Sequence, residues 1–158
     1  MTDPLSDVEA SFQFLVTDFG FALVDSRRER GGLAARYSKD GVGVLVDWYP
    51  RDPLTVWLVR LVDGAFPPRD GAIRADSTLH YFDLGHLERL RGCESTGEQY
   101  TPSAENARRM AHSLRTCGGS FLLGEIDQFN DLQSYVIERA RIVTIAHYGE
   151  EYARTLGW

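Results

Sequence analysis

The chain has 158 residues, of which 43% are hydrophobic, and this is long enough to bury a self-sufficient core. We therefore expect one globular domain over residues 1–158. The formal net charge of -6 disfavours nucleic acid as a partner, because phosphate binding depends on clustered Lys and Arg. A basic protein partner suits such a chain better.

Cysteine usage and the N-terminal residues predict a cytoplasmic protein. Cys93 and Cys117 show neither a CxxC spacing nor a dense cysteine framework, so free thiols in a reducing cytoplasm are expected, and a disulfide between them is the alternative that the sequence does not indicate. The N-terminus has no basic region and no apolar run, and no segment approaches the roughly 18 apolar residues of a membrane span. We expect no visible export signal, no membrane-embedded helix and no membrane partner.

The first half of the chain predicts one helix followed by a meander of four antiparallel strands. Ser6 and Glu9 form a capping box, and an apolar stripe follows until Gly20 ends the helix. Strands are expected at residues 20–24 and 33–38, and two more form a hairpin within residues 42–62.

Two turns, interpreted independently, predict the register of the sheet. Asp40-Gly41 favours a two-residue type I′ turn, in which both residues have positive φ. A second turn at residues 50–53 would place Val44 opposite Val59. Both registers assign one set of side chains to the face that packs against the helices: Tyr37, Val42, Val44, Val46, Trp57, Val59 and Leu61.

The opposite face of this sheet is predicted to be half polar. Arg36, Asp47 and Arg60 lie on it, set among Leu45, Val56 and Leu58. Asp47 stands out, because an acidic residue has low propensity for the middle of a strand. Either its carboxylate points outward and pairs with a neighbouring arginine, or the three charged residues are the polar contacts of a binding face.

Three helices packed on the sheet are predicted after a loop at residues 63–79. A short helix follows Asp83, a second begins at Thr101-Pro102, and a long final helix runs from Asp127 until Gly149. The predicted fold class is therefore α+β, with an N-terminal helix, a four-stranded antiparallel meander sheet and three C-terminal helices on the sheet.

No residue pattern predicts catalysis, a metal or a cofactor. The four histidines lack the HxH or HExxH spacing of a zinc site, and Ser120 lies outside a GxSxG elbow. Gly41 and Gly43 lack the rest of a dinucleotide fingerprint. We therefore predict a non-enzymatic protein without metal or cofactor.

A second candidate surface lies near the start of the final helix. Glu125, Asp127 and Asp131 would form a local acidic patch there, which is either a solvated helix face or part of a partner contact. Together with Arg36, Asp47 and Arg60, these residues are the predicted partner-binding set.

Two segments carry a resemblance to a known class of protein. Phe12-Gln-Phe-Leu-Val-Thr-Asp-Phe-Gly-Phe21 precedes the strand-rich middle, and Phe121-Leu-Leu-Gly-Glu125 precedes the final helix. This succession resembles small uncharacterised bacterial immunity-type proteins that stand beside secreted toxins. The resemblance lies in apolar framework residues and spans most of the chain, so it carries over no binding residue.

The resemblance implies a cytoplasmic protein that neutralises a cognate toxin, such as a basic nuclease, by occlusion. The alternative is a small-molecule or peptide-binding module that uses the outer sheet face or a pocket between sheet and helices. An enzyme with an unfamiliar, distributed site is the third interpretation.

Overall fold

The computed structural model describes residues 3–97 and 102–158. The elements in chain order are α1 (Pro4–Ser11), α2 (Phe14–Thr17), β1 (Ala22–Arg27), β2 (Leu33–Lys39), β3 (Val42–Trp48), β4 (Thr55–Arg60), β5 (Tyr81–Asp83), α3 (Leu84–Arg91), α4 (Ala104–Cys117), α5 (Gly119–Leu122) and α6 (Gln128–Thr155). The α+β class is confirmed.

The sheet has five antiparallel strands in the order β1-β2-β3-β4-β5, one more than predicted. The extra strand, β5, is three residues long and pairs Phe82 with Leu58 of β4. It ends at Asp83, whose carboxylate caps α3 by accepting the N–H of Gly85. So short a strand gives no alternating pattern, which explains why the sequence analysis assigned no strand there.

The predicted first helix is two short helices, α1 and α2. The capping residue is Asp3, whose side chain accepts the N–H of Leu5, while the Ser6 hydroxyl donates to the Asp3 carboxylate. The expected apolar positions Val8, Phe12 and Leu15 are nevertheless fully buried.

The three predicted C-terminal helices correspond to α3, α4 and α6, with the four-residue α5 in addition. Helix α4 is capped by Ser103, whose hydroxyl accepts the N–H of Asn106, and the predicted cap at Thr101 lies outside the described residues. Gly149, with φ 84° and ψ 166°, interrupts α6 as expected, although a helical segment resumes and ends at Thr155. Within the described ranges, no helix is both long and apolar enough to cross a membrane.

The predicted register of the β2–β3 hairpin is confirmed. Lys39 pairs with Val42, and Tyr37 pairs with Val44. Asp40 has a φ of 51°, whereas Gly41 does not share the positive φ that a type I′ turn would require.

The predicted register of the β3–β4 hairpin is wrong by one residue. Val44 pairs with Leu58 rather than Val59, and the ladder ends where Asp47 pairs with Thr55. Residues 49–54 therefore form a longer connection than the tight turn assumed for residues 50–53. Since successive strand residues point to opposite faces, this slip moves every β4 side chain to the other face of the sheet.

One face of the sheet forms the main core with the helices. It presents Tyr37, Val42, Val44, Val46, Val56, Leu58 and Phe82, all buried. Helix α4 contributes one apolar face to this core, namely Ala107, Met110, Ala111, Leu114 and Cys117. Helix α6 adds Phe129, Leu132 and Val136. The helices therefore cover this face and leave the opposite one to other contacts.

Cys93 and Cys117 form a disulfide bond that ties the segment after α3 to the end of α4. The prediction of free thiols is therefore corrected. The two residues are 24 positions apart, and only the packing of α3 beside α4 brings them together, which no local spacing pattern could indicate. A disulfide is more typical of an oxidising compartment than of the cytoplasm.

Candidate functional site

The face of the sheet that points away from the main core carries its own small cluster. We call it the open face, and its strand residues are Ala34, Arg36, Leu45, Asp47, Trp57, Val59 and Tyr81. In the described part of the chain, its apolar cluster contains no residue from a helix. Phe66, from the connection between β4 and β5, packs against it instead.

Three side chains at the β4–β5 side of the open face form what we call the arginine stack: Trp57, Arg69 and Tyr81. The guanidinium carbon of Arg69 lies 4.2 Å from the Trp57 ring centroid and 4.5 Å from that of Tyr81. Both distances are well inside the range of about 6 Å for a cation–π contact. Arg69 is exposed, while the two aromatic residues are half-buried.

The aromatic residues of the stack are fixed by their own hydrogen bonds. The Trp57 indole N–H donates to the Asp47 carboxylate at 3.1 Å, across neighbouring strands. The Tyr81 hydroxyl donates to the backbone carbonyl of Pro67 at 2.6 Å. The polar end of each ring is therefore held, which leaves the ring surfaces for Arg69.

Asp70 holds the connection that carries Arg69 against the sheet. Its carboxylate accepts the backbone N–H groups of His80 and Tyr81 at 2.9 and 2.8 Å. The Nδ1 atom of His80 also lies 3.1 Å from this carboxylate. Hydrogen bonds to a charged acceptor are stronger than neutral ones, so Asp70 positions the neighbouring Arg69 through the backbone.

Arg36 belongs to an ion-pair group at the β1 side of the open face. Its guanidinium contacts both Asp25 carboxylate oxygens at 3.2 Å, and Arg27 reaches the same carboxylate at 2.9 Å. The Arg36 guanidinium also lies 5.9 Å from the Phe66 ring centroid. Val24, which is exposed, lines a shallow recess with these residues.

Burial and neighbouring charges act in opposite directions on the acidic groups of this face. Burial raises the pKa of Asp47, and the indole hydrogen bond from Trp57 and the charges of Arg69 and Arg36 oppose that rise. Burial likewise raises the pKa of the Tyr81 hydroxyl against the same two arginines. Leu45 and Val59 at the centre of the face are buried, and Trp57 and Tyr81 at its β4–β5 side are half-buried.

The structure separates the three predicted residues of the half-polar strand face. Arg36 and Asp47 lie on the open face as expected, but the register slip places Arg60 on the helix-covered face. There the Arg60 guanidinium lies 5.5 Å from the Phe129 ring centroid, and burial lowers its pKa. Arg60 therefore cannot act with Asp47 in one contact.

Arg60 instead lies beside the start of α6, where the other predicted residues are. Its Nη2 atom donates to the Asn130 side chain at 3.4 Å. Glu125, Asp127 and Asp131 are exposed around this helix start, and Glu125 accepts a hydrogen bond from Gln128 at 2.6 Å. The six predicted residues thus form two groups, and Arg60 lies with the acidic residues at the start of α6 rather than with Arg36 and Asp47.

Sequence reasoning missed the arginine stack. It assigned Trp57 to the helix-covered face and Arg69 to an unstructured loop, and it placed Tyr81 in no strand. The available signal was Trp57 itself, which pairs with Leu45 and therefore lies diagonally from Asp47 on the neighbouring strand, and the slip in register concealed this.

A separate cavity of about 170 Å3 lies beside α3. His86, Glu88 and Thr96 line it, and Glu88 accepts the backbone N–H of Thr96 at 2.7 Å. The Nδ1 atom of His86 is buried without a hydrogen-bond partner among the described residues, and burial lowers the pKa of the imidazole. The cavity is smaller than the roughly 300–1,000 Å3 of ordinary small-molecule sites, so binding of a small molecule stays a prediction.

No group of His, Cys, Asp and Glu within residues 3–97 and 102–158 could hold a metal ion. The chain matches no family model, and searches of curated proteins and of solved structures found no similar protein. The arginine stack presents a guanidinium and two aromatic rings, whose polar ends are held by partly buried hydrogen bonds.

Proposed function

We propose that this protein is a protein-binding domain whose partner docks on the open face at the arginine stack. One observation carries the proposal: Trp57, Arg69 and Tyr81 meet on a sheet face that the helices leave uncovered. Tryptophan, tyrosine and arginine are the residues most enriched at the centres of protein interfaces. Their mutual stacking reduces the side-chain entropy that binding would otherwise cost.

We further propose, on the sequence resemblance, that the partner is a toxin that the domain neutralises by occlusion. The net charge of -6 supports a partner with a basic surface, because opposite net charges accelerate encounter. The acidic start of α6, with Glu125, Asp127 and Asp131, supplies part of that attraction. Cytoplasmic location stays a prediction, and the Cys93–Cys117 disulfide favours an oxidising compartment instead.

Site-specific photo-crosslinking tests the proposed contact surface. Val24 and Ala65, which line the recess of the open face, would each be replaced by p-benzoylphenylalanine in the organism that encodes the chain. Tyr148, which is 69% exposed on α6, provides a control position away from this face. We expect both open-face positions, and not Tyr148, to crosslink to the same protein, which should then form a complex with this chain when both are purified.

Absence of a protein adduct at both Val24 and Ala65 would contradict the proposal, as would equal crosslinking from Tyr148. Toxin neutralisation would be tested by co-expressing the identified partner with this chain. Growth that the partner inhibits should be restored by the wild-type chain, and a partner that is harmless alone would exclude the immunity role while leaving the contact surface in place.

A further inference from the structure

The carboxylates around the arginine stack already have donors. Asp25 accepts from Arg27 and Arg36, and Asp47 accepts from the Trp57 indole. Asp70 accepts from the backbone of residues 80 and 81. None of these carboxylates needs an external cation. A hydrogen-bonding group that still lacks a partner on this face must therefore be a donor.

Arg69 is the donor that has no acceptor. Its guanidinium contacts two aromatic rings, but in the described part of the chain no hydrogen-bond acceptor or carboxylate pairs with it. Arg36 differs because Asp25 occupies it at 3.2 Å. The exposed N–H groups of Arg69 are therefore directed to water in the free protein and can be donated to a partner.

Stacking also orients the Arg69 guanidinium to donate two parallel hydrogen bonds to one acceptor group. Contacts of 4.2 and 4.5 Å with the Trp57 and Tyr81 rings restrict the guanidinium plane, while its edge keeps the planar fork of donors that matches a carboxylate. Phosphate matches the same fork, so inorganic phosphate is the competing acceptor, whereas a carboxylate is the acceptor that a protein partner supplies through its Asp and Glu side chains.

We propose that the arginine stack binds a carboxylate, contributed by an acidic side chain of the protein partner. This inference rests on the proposed protein-binding function and specifies the chemistry of its central contact. A partner that is basic overall still satisfies it, because one Asp or Glu at the docking surface is sufficient. Arg69 donates two parallel hydrogen bonds to that carboxylate, and Trp57 and Tyr81 shield the pair from water.

A titration with defined peptides tests this recognition directly. The probe is an acetylated, amidated tetraglutamate peptide, added to isotope-labelled full-length protein and followed by the NMR signals of the Trp57 indole N–H and the Arg69 Nε–H. We expect saturable shifts of both signals. The matched tetraglutamine peptide, which lacks charge, and inorganic phosphate should each bind at least tenfold more weakly.

Two arginine variants provide the comparison. Arg69→Gln should weaken tetraglutamate binding at least tenfold, and Arg69→Lys should also weaken it, because an ammonium retains the charge but lacks the planar fork. Arg115→Gln is the matched control: Arg115 stacks on Phe14 at 4.5 Å, but Asp18 already pairs with it. Its removal should leave the Trp57 shifts unchanged.

Equal responses to tetraglutamate and tetraglutamine would overturn the inference, as would unchanged binding by Arg69→Gln. An equal response to inorganic phosphate would show a general anion site and would also overturn it. Failure of the two proposals is distinguishable. Crosslinks from Val24 and Ala65 without a peptide response remove only the carboxylate inference. A peptide response without any protein adduct removes the proposed function and the protein partner as the source of the carboxylate, and leaves only carboxylate recognition by Arg69.

Discussion

Asp47 shows how one residue links the fold to the proposed contact. Its carboxylate lies near the end of β3, fixes the Trp57 indole and is partly removed from water. The sequence analysis singled out Asp47 because an acid is unusual in a strand, and the β2–β3 register, which is confirmed, places it on the open face. Arg60 shows the limit of the same reasoning. The face of the sheet on which Arg60 lies depends on the connection between β3 and β4, and not on the chemistry of the residue.

Asp47→Asn should change how stability depends on pH. The folded protein holds a proton on Asp47 more tightly than the unfolded chain does, because its pKa is raised above the ordinary value of 3.8. The free energy of unfolding of the wild type therefore falls as the pH rises from 3.8, the pKa of the unfolded chain, to the raised pKa of the folded protein, because Asp47 then loses its proton. Asparagine keeps an acceptor for Trp57 without this loss.

Urea unfolding at several pH values measures the effect. The free energy of unfolding of Asp47→Asn, minus that of the wild type, should become more positive between pH 3 and pH 7, the range that brackets the ordinary value of 3.8. A difference that is constant over this range, or that becomes more negative, would show that burial does not raise the pKa of Asp47.

At the scale of elements, the sheet illustrates what a pattern can and cannot predict. The β2–β3 register was predictable because its turn is two residues long and its pairs run up to Lys39 and Val42. The β3–β4 register was not, because a six-residue connection, residues 49–54, can join the two strands in more than one register, and a slip of one residue exchanges the two faces of β4. The arginine stack depends on this second register, so the site could not be assembled from sequence.

Gly43 lies on the open face beneath the side chains of Leu61 and Phe66 and, having no Cβ atom, leaves room for them. A Cβ atom there would lie 2.8 Å from the Leu61 Cδ2 atom and 2.8 Å from the Phe66 Cζ atom. Gly43→Ala should therefore displace both side chains and lower the free energy of unfolding by about 1–3 kcal/mol, as overpacking typically does.

Gly71→Ala is the matched control, because nothing lies within 4 Å of its added Cβ atom. We expect a change within about 0.5 kcal/mol for this variant. Urea unfolding of both variants measures the difference, and a Gly43→Ala protein as stable as the control would mean that Phe66 does not cover the face as described.

At the scale of the whole molecule, the α+β class and the main helices followed from hydrophobic periodicity, since long amphipathic segments carry a strong signal. The disulfide did not, because Cys93 and Cys117 meet only through the packing of α3 against α4. The cytoplasmic location of the protein, which was predicted from its cysteines, must therefore be tested separately from the fold.

Loss of the disulfide should destabilise the protein measurably. The bond joins residues 24 positions apart, and closing a loop of this length restricts the unfolded chain by about 3 kcal/mol in the chain-entropy description. Reducing agent should lower the free energy of unfolding of the wild type by about this amount. Cys93→Ser should show this lower stability without reductant, and reductant should not change it. A wild-type protein whose stability does not change with reductant would contradict the disulfide bond.

The central claim is that the partner docks on the arginine stack, and affinity for the crosslinked partner tests it most directly. Calorimetric titration of the purified partner would compare Arg69→Gln with Arg115→Gln, two removals of an exposed, ring-stacked arginine. We predict that Arg69→Gln weakens binding by about 30-fold, the loss of about 2 kcal/mol typical of an interface hot spot, while Arg115→Gln leaves affinity unchanged. Equal affinities of the two variants, or a larger loss for Arg115→Gln, would contradict the account.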